Sequence, residues 1–570
     1  PVALSFDYEG RLFVVETARR GTVDIDIRSH KEWVIDDLSS DTIPQLRRMF
    51  RVKMAPELSE QNKSWLADRN GDGAHDWRDL MAGKERIHLL QDTDDDGRAD
   101  VAKVFAEGFN QEINGVMAGV LPYRGDVFAV GRGEDTILGQ PVLASVDAVP
   151  DGAADLLVAC TPVSANEGII RSAAARGVRA VFVAAGGYAE AGPEGAKAEA
   201  RLVALADELD LVLAGPNGQG VTSPPVGLCA QIVAPFPPRG RIGVASQSGN
   251  FVSAFQNYAS QTGVGLSRSV SAGNAAATGV ADYLEWFADD PETDVGLCYI
   301  EGLDDGRDFF ERIRSISPQM PVVVVKGGTT RGGQRAAASH TGSLATDDRV
   351  FDGMARQAGM VRATTIEEAF EAAATLATQP LPGGNGVLVL TTAGGWGVVT
   401  ADAVTSHPDL ALTALPADLL AAVDALLPPR WSRNNPVDLA GGETRDTIPQ
   451  LLDLVAGHPA VDSVVQLGLG IQGNTAALTR DGPFHPGYGL DRIVDFHERQ
   501  EQRYAEAAVA AATSHGKPVL VASELAVAQP DNPMVTAVRE SGRLCYPSAD
   551  RAVVALGHLA RYASWCRART

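Results

Sequence analysis

Positive charge is what this 570-residue chain has least of: 49 Lys and Arg stand against 72 Asp and Glu, a formal net charge of -23. A surface of that sign repels the phosphates of nucleic acid instead of neutralising them, so nucleic-acid binding is excluded. No stretch approaches the about 18 apolar residues that a membrane-crossing helix needs, and no span is expected. The cysteines, Cys160, Cys229, Cys298, Cys545 and Cys566, include no C-x-x-C pair. Scattered thiols of this kind fit a reducing, cytoplasmic setting and give no zinc signature. There is no GxxxxGK[ST] loop, hence no P-loop for a nucleotide. The opening "PVALSFDYEG" has neither an initiator Met nor a secretory pattern, so the natural start is expected to lie elsewhere.

What is present has two grammars. To about residue 131 the chain reads as β: "ALSFDYEGRLFVVET" is two alternating runs joined by a Gly turn, and "RIHLLQDTDDDGRADVAKVFAEGF" repeats the idea. From about residue 137 strands alternate with helices. "DLLVACTP", "VRAVFVAAGG", "LVLAGPNGQG", "RIGVASQSGN", "MPVVVVKGG" and "GVLVLTTAGGWG" are the strands of that rhythm. Such alternation implies parallel sheets covered on both faces. A chain this long is expected to hold three or four domains. The fold class is therefore α/β, several Rossmann-like or flavodoxin-like parallel-sheet domains, preceded by an all-β segment.

Chemistry is expected at strand ends. In "GRIGVASQSGN" the residues Ser246, Ser248, Gly249 and Asn250 occupy a turn and the first helical positions. Free backbone N–H groups and the helix dipole favour an anion such as phosphate there, with plain serine capping as the alternative. "TTAGGWG" repeats the geometry with Gly394, Gly395 and Gly397, where close helix–strand packing is the stronger explanation. "GPNGQGV" offers Gly215, Asn217 and Gly220 after a strand, either as a ligand-contacting turn or as a plain one. Glu301 follows the buried run "LCYI", and a carboxylate so placed can orient a histidine and raise its basicity. The histidine in view is His340, in "SHTGSLA", among small and hydroxyl side chains that leave room for a reactant.

Taken in order, "GPNGQGV", "GRIGVASQSGN", "YIEGLDDGRDF", "PVVVVKGG", "RAAASHTGSLA", "TTAGGWGVVTADA" and "NPVDLAGG" resemble the NDP-forming acyl-CoA synthetases, relatives of succinyl-CoA synthetase. The resemblance implies an α-type subunit that interconverts acyl-CoA, phosphate and ADP with acid, CoA and ATP. It makes His340 the transient phosphate carrier and Glu301 the carboxylate that orients and polarises the imidazole. CoA, a small carboxylic acid and ADP or ATP with Mg2+ are the implied ligands. The nucleotide is expected on an ATP-grasp β-type partner subunit in a hetero-oligomer, because the chain's last stretch reads as the end of the α-type part. The resemblance implies a CoA-binding Rossmann-like domain at 137–237, truncated because the family's opening βαβ unit has no counterpart. It further implies a succinyl-CoA-ligase-like domain with the phosphohistidine at 238–378 and a flavodoxin-like ligase domain at 384–570.

Residues 1–131 resemble part of a β-propeller of quinoprotein-like or sorbosone-type dehydrogenases, with strands for two blades. The loop "DRNGDGAHDWRD" places Asp68, Asn70, Asp72 and Asp79 at positions 1, 3, 5 and 12 of an EF-hand-like spacing, a candidate calcium site. "DTDDDGRADVAK" is the weaker candidate, with Lys103 at position 12. Solvated acidic turns are the alternative for both. Two rival functions follow from the sequence, a propeller-type oxidoreductase fragment and a catalytically inactive acyl-CoA- or phosphate-binding module.

Overall fold

The structure, a computed structural model, describes residues 3–6, 12–17, 33, 43–81, 85–91, 101–107, 127–131, 136–137, 140–232, 235–303, 305–330, 332–333, 347–441 and 444–569. The chain forms two compact units, Pro1–Gly125 and Asp126–Thr570.

In the first unit β1 (Ala3–Phe6), β2 (Leu12–Thr17), β3 (Glu85–Gln91) and β4 (Val101–Glu107) form an antiparallel meander in sequence order. The all-β expectation is corrected by helix α1 (Ile43–Lys53) and a short helical turn at Ser59–Asn62. Their apolar side chains need a cover, and a tryptophan cluster supplies it. Trp33, Met54 and Leu66 are buried against Trp65 and Trp77, with Trp33 edge-on to Trp65 at 5.5 Å.

The second unit opens with β5 (Ala129–Val130), β6 (Thr136–Ile137) and β7 (Gln140–Leu143) in a small sheet of order β5-β7-β6. A βαβαβ run follows: β8 (Leu156–Ala159), α2 (Val163–Ala175), β9 (Ala180–Val183), α3 (Pro193–Glu208) and β10 (Val212–Ala214). Its strands pair in parallel in the order β10-β9-β8.

Next come β11 (Gly220–Ser223), β12 (Leu228–Gln231), β13 (Arg239–Ser246), α4 (Gly249–Thr262), β14 (Leu266–Ser271), α5 (Val280–Asp289), β15 (Val295–Ile300), α6 (Gly306–Ile316), β16 (Val322–Lys326), α7 (Asp348–Ala358), β17 (Val361–Ala363) and α8 (Ile366–Thr378). They build a seven-stranded sheet of order β12-β11-β14-β13-β15-β16-β17. The β11–β12 hairpin is its antiparallel edge, so the expected domain limit at residue 237 does not coincide with the sheet limit. Every residue of β15 and of β16 is buried, as the apolar runs require of strands covered on both faces.

The last layer holds β18 (Gly386–Thr391), α9 (Gly394–Ser406), β19 (Ala411–Leu412), α10 (Ala417–Leu426), β20 (Val437–Asp438), α11 (Thr447–Gly457), β21 (Ser463–Leu467), α12 (Ile471–Arg480), α13 (Leu490–His515), β22 (Val519–Ala522), α14 (Pro533–Glu540), β23 (Cys545–Tyr546) and α15 (Ala549–Arg567). Its strands are parallel, in the order β19-β18-β21-β22-β23 with β20 also on β18. One hydrophobic core joins the two large sheets. Val244, Leu297 and Val323 from one and Val389, Val465 and Leu520 from the other share it with α8 and α15. Alanines 369, 372, 373 and 374 of α8 are buried there, and their small side chains let the helix approach both neighbours.

Candidate functional site

Strands β13 to β16 run parallel, so their C-terminal ends form one crest, the place where open α/β sheets bind ligands. Three of the segments singled out in the sequence meet there.

After β13 the chain turns sharply. The Ser246 hydroxyl donates to the Ser248 carbonyl at 2.7 Å and accepts the Ser248 N–H at 3.1 Å, which fixes the turn. Ser248 stands at the N-cap of α4, yet its side chain makes no capping bond. Plain serine capping therefore does not explain the residue. Asn250 accepts a hydrogen bond from Gln219 Nε2 at 3.0 Å, and Ser253 donates to Gln219 Oε1 at 3.0 Å. A Cβ at Gly249 would lie 2.3 Å from Cγ of Gln219, so the turn at 215–220 packs directly on the start of α4.

That second turn has an unusual backbone. Gly215 has φ +91° and precedes a cis Pro216, Asn217 has φ +62°, and Gly220 has φ +135°. A Cβ at Gly220 would fall 2.3 Å from the Gln231 Cα, so close strand approach, as well as φ, demands glycine. The turn is held by Asn274, in the loop after β14. Its N–H donates to the Pro216 carbonyl at 2.9 Å, and its Oδ1 accepts from Asn217 Nδ2 at 3.3 Å. Asn274 Nδ2 in turn donates to Glu190 Oε2 at 2.6 Å and Glu199 Oε2 at 2.7 Å. Burial opposes ionisation of Glu190, but the Asn274 amide and the N–H groups of Gly187, Glu190 and Tyr188 hold it below the usual carboxylate range.

Glu301 directly follows β15 and is 9% exposed. Gln247, in the turn after β13, clamps its backbone. Oε1 of Gln247 accepts the N–H of Glu301 at 2.6 Å and of Gly302 at 3.3 Å, while Nε2 donates to the Gly302 carbonyl at 3.1 Å. The Tyr299 hydroxyl donates to Glu301 Oε1 at 3.2 Å. The expected phosphate turn and the expected carboxylate are thus one hydrogen-bonded unit. At the end of β16, Lys326 is buried and donates to the Gly327 carbonyl at 3.0 Å; burial pulls its ammonium below the usual range.

His340 lies outside the described residues, as do Asp92, Asp94, Asp96 and Gly97 of the second acidic loop. Gly327 follows β16, and a Cβ added to it would sit 3.5 Å from Glu301 Cγ.

Two other expectations resolve as packing. A Cβ at Gly397 would meet Thr391 Cγ2 at 3.0 Å and Pro436 Cβ at 3.2 Å, so this glycine serves the close approach of α9 to β18. Asn435 of "NPVD" bonds to the Val389 N–H and to the carbonyls of Val387 and Thr413, acting as a stitch in the last sheet.

The first acidic loop does not form a calcium cage. Asp68 accepts the N–H groups of Gly71 and Gly73, Asp72 that of Ala74, and Asn70 that of Asp72. Buried Asp79 accepts the N–H groups of Arg69, Asn70 and Asp76. Among the described residues no group of three or more His, Cys, Asp or Glu side chains is placed to hold a metal ion. Asp68, Asn70, Asp72 and Asp79 use their side-chain oxygens to close their own loop.

Sequence reasoning missed Gln219, Gln247, Asn274, Glu190, Glu199 and Tyr299. Their partners lie far along the chain, and only "YIE", with Tyr two residues before Glu, carried a local signal.

A model of the succinyl-CoA ligase-like flavodoxin domain matches residues 239–376, a ligase-CoA domain matches 387–471, and a CoA-binding domain matches 113–223. The α subunit of ADP-forming acetate–CoA ligase I from Pyrococcus furiosus is 32% identical over 454 residues, 78% of this chain and 91% of that subunit. ADP-forming acetate–CoA ligase I of Archaeoglobus fulgidus is 34% identical over 354 residues, 62% of this chain but 51% of that protein, so the chain spans about half its length. Among solved structures, the dinucleotide-forming acetyl-coenzyme A synthetase 1 of Ca. Korarchaeum cryptofilum in complex with phosphate and ADP superposes with a TM-score of 0.65 at 28% identity. It covers 78% of this chain and 90% of its own.

Proposed function

Since this chain belongs to the NDP-forming acyl-CoA synthetase family, the relatives of succinyl-CoA synthetase, we propose that it interconverts acyl-CoA, phosphate and ADP with acid, CoA and ATP. Phosphate attacks the thioester carbonyl, CoA leaves as its thiol, and an acyl phosphate forms. An imidazole nitrogen of His340 then attacks phosphorus, and the carboxylic acid departs. The phosphohistidine finally passes its phosphoryl group to ADP. Phosphoryl transfer asks mainly for positioning and charge neutralisation. In this reading the amides at Ser248–Asn250 and the dipole of α4 receive phosphate. Glu301 accepts the second N–H of His340, and the turn at Gly215–Gly220 contacts the CoA arm or the acyl group.

The observation that carries the proposal is the bonded path from Gln219 through Asn250 and from Gln247 to Glu301, which ties the anion turn to the carboxylate. Acetate is the acid named for several relatives, and a small carboxylic acid is proposed here. Match to an α subunit over 91% of its length and to half of another relative supports a partner that supplies the nucleotide site. We assign that role to an ATP-grasp subunit binding ADP and Mg2+. No helix among the described residues is long and apolar enough to cross a membrane.

The test is labelling with acetyl-CoA and radioactive phosphate. Wild type should acquire an acid-labile, base-stable label, and His340→Ala should acquire none. Equal labelling of the two would refute the carrier assignment.

A further inference from the structure

Tyr299 is the penultimate residue of β15 and Glu301 follows the strand's last residue, Ile300, and the two side chains meet in a hydrogen bond from the phenol to the carboxylate at 3.2 Å. The Tyr299 ring is packed on Phe251 of α4, with centroids 4.0 Å apart, and the residue is 8% exposed. A buried phenol needs a hydrogen-bond partner, and this one has chosen the carboxylate next to it. Burial first, and then the charge of Glu301, push the phenol above its usual range, so the O–H remains a donor through neutral pH.

The space above that hydroxyl is controlled. Gly327 is anchored by its N–H to the Ile300 carbonyl at 2.8 Å. A Cβ there would stand 2.6 Å from the Tyr299 oxygen, 3.3 Å from its Cζ and 3.5 Å from Glu301 Cγ. Any side chain at 327 would drive the phenol off the carboxylate.

We propose that Tyr299 is a positioning residue for Glu301, and that position 327 is glycine to leave room for the Tyr299 hydroxyl. Gln247 fixes the backbone of Glu301 and Tyr299 holds its Oε1, so the carboxylate is kept in one orientation for the role proposed above. The inference rests on the reading of Glu301 as the group that orients His340. A carboxylate that loses the phenol's hydrogen bond is held less firmly in that orientation, and phosphohistidine formation would slow without any change in acyl-CoA binding.

The experiment measures the rate of base-stable labelling of the full chain by acetyl-CoA and radioactive phosphate. Tyr299→Phe keeps the ring on Phe251 and should slow labelling about tenfold, with an unchanged half-saturating acetyl-CoA concentration. Gly327→Ala should show the same defect. The double variant Tyr299→Phe/Gly327→Ala should be no slower than Tyr299→Phe alone, because the Cβ then has no hydroxyl to displace. In a Glu301→Gln background, Tyr299→Phe should cost less than about twofold. Slow labelling by Glu301→Gln with normal labelling by Tyr299→Phe would overturn this inference alone, and so would multiplying defects of Tyr299→Phe and Gly327→Ala. No label on wild type, or an unaffected Glu301→Gln, would instead overturn the reading of the site and this inference with it.

Discussion

Removing the charge of Glu368 should loosen the joint between the two large sheets, and only above acidic pH. Glu368 lies on α8 and is 19% exposed; its Oε1 lies 2.7 Å from Nε2 of His558 on α15. Its other oxygen accepts the N–H of Thr364 at 2.9 Å and the Thr364 hydroxyl. Burial alone would raise this carboxyl. The bonds from His558 and Thr364, with the charge of His558, outweigh burial and bring it from 4.5 to about 2. A carboxyl held that low contributes about 3 kcal/mol to the folded state at neutral pH. The sign follows from linkage. The contribution is whole above 4.5, the ordinary value, and disappears as pH falls through about 2. Glu367, bonded by the Tyr258 hydroxyl at 2.9 Å, and Glu371, 2.6 Å from Arg551, flank the pair and stay in place in the variant. Glu368→Gln should therefore expose the amides of α8 and α15 to hydrogen exchange about a hundredfold faster at pH 7, converging on wild type near pH 2. Exchange measured by mass spectrometry on peptides from 366–378 and 549–567 reads both helices. Equal protection at pH 7, or a defect of the same size at pH 2, would refute the reasoning.

The isolated chain should make no ATP from ADP, phosphate and acetyl-CoA; robust synthesis would locate a nucleotide site within this chain. Asn274→Ala should raise the KM for acetyl-CoA about tenfold with kcat little changed, because it frees the Gly215–Gly220 turn. Asn274→Asp should be worse, since it brings a third carboxylate to Glu190 and Glu199; steady-state kinetics that rank the two the other way would remove Asn274 from the site. Asp79→Ala strands the N–H groups of Arg69, Asn70 and Asp76 and should cost the first unit about 3 kcal/mol, read by urea unfolding followed through the tryptophan cluster, with labelling at His340 unaltered.

The parallel architecture was legible because buried strands such as "VGLCYI" and "VVVVK" carry their own signal. So was the turn into α4, where small residues follow a strand and precede an amphipathic stretch. Ownership of strands was not legible. Nothing in Gly220–Gln231 says that its hairpin pairs with β14 instead of the sheet just completed. Helix α1 was hidden for a different reason, since its apolar side depends on tryptophans brought in from 33, 65 and 77. Of the proposed site, the sequence singled out Glu301 and Ser246–Asn250 as candidates, but not the side chains that bind them together. The bonds from Gln219 to Asn250, from Gln247 to Gly302 and from Asn274 to Glu190 span 31, 55 and 84 residues, beyond any local pattern.

Strand β10 ends at Ala214 and the hairpin that begins at Gly220 already belongs to the next sheet, so residues 215–219 alone pass between them. This sets where related genes can trade parts. A crossover at the apparent seam near residue 238 would hand the recipient a foreign hairpin at its sheet edge and a foreign Gln219 against its own Asn250. A crossover just before Gly215 would keep the hairpin, Gln219 and Asn274 together, while asking the incoming piece to supply Glu190 and Glu199 for Asn274 and the Phe182 ring against Gly218. Chimaeras joined at the second point should fold and turn over acyl-CoA far more often than those joined at the first.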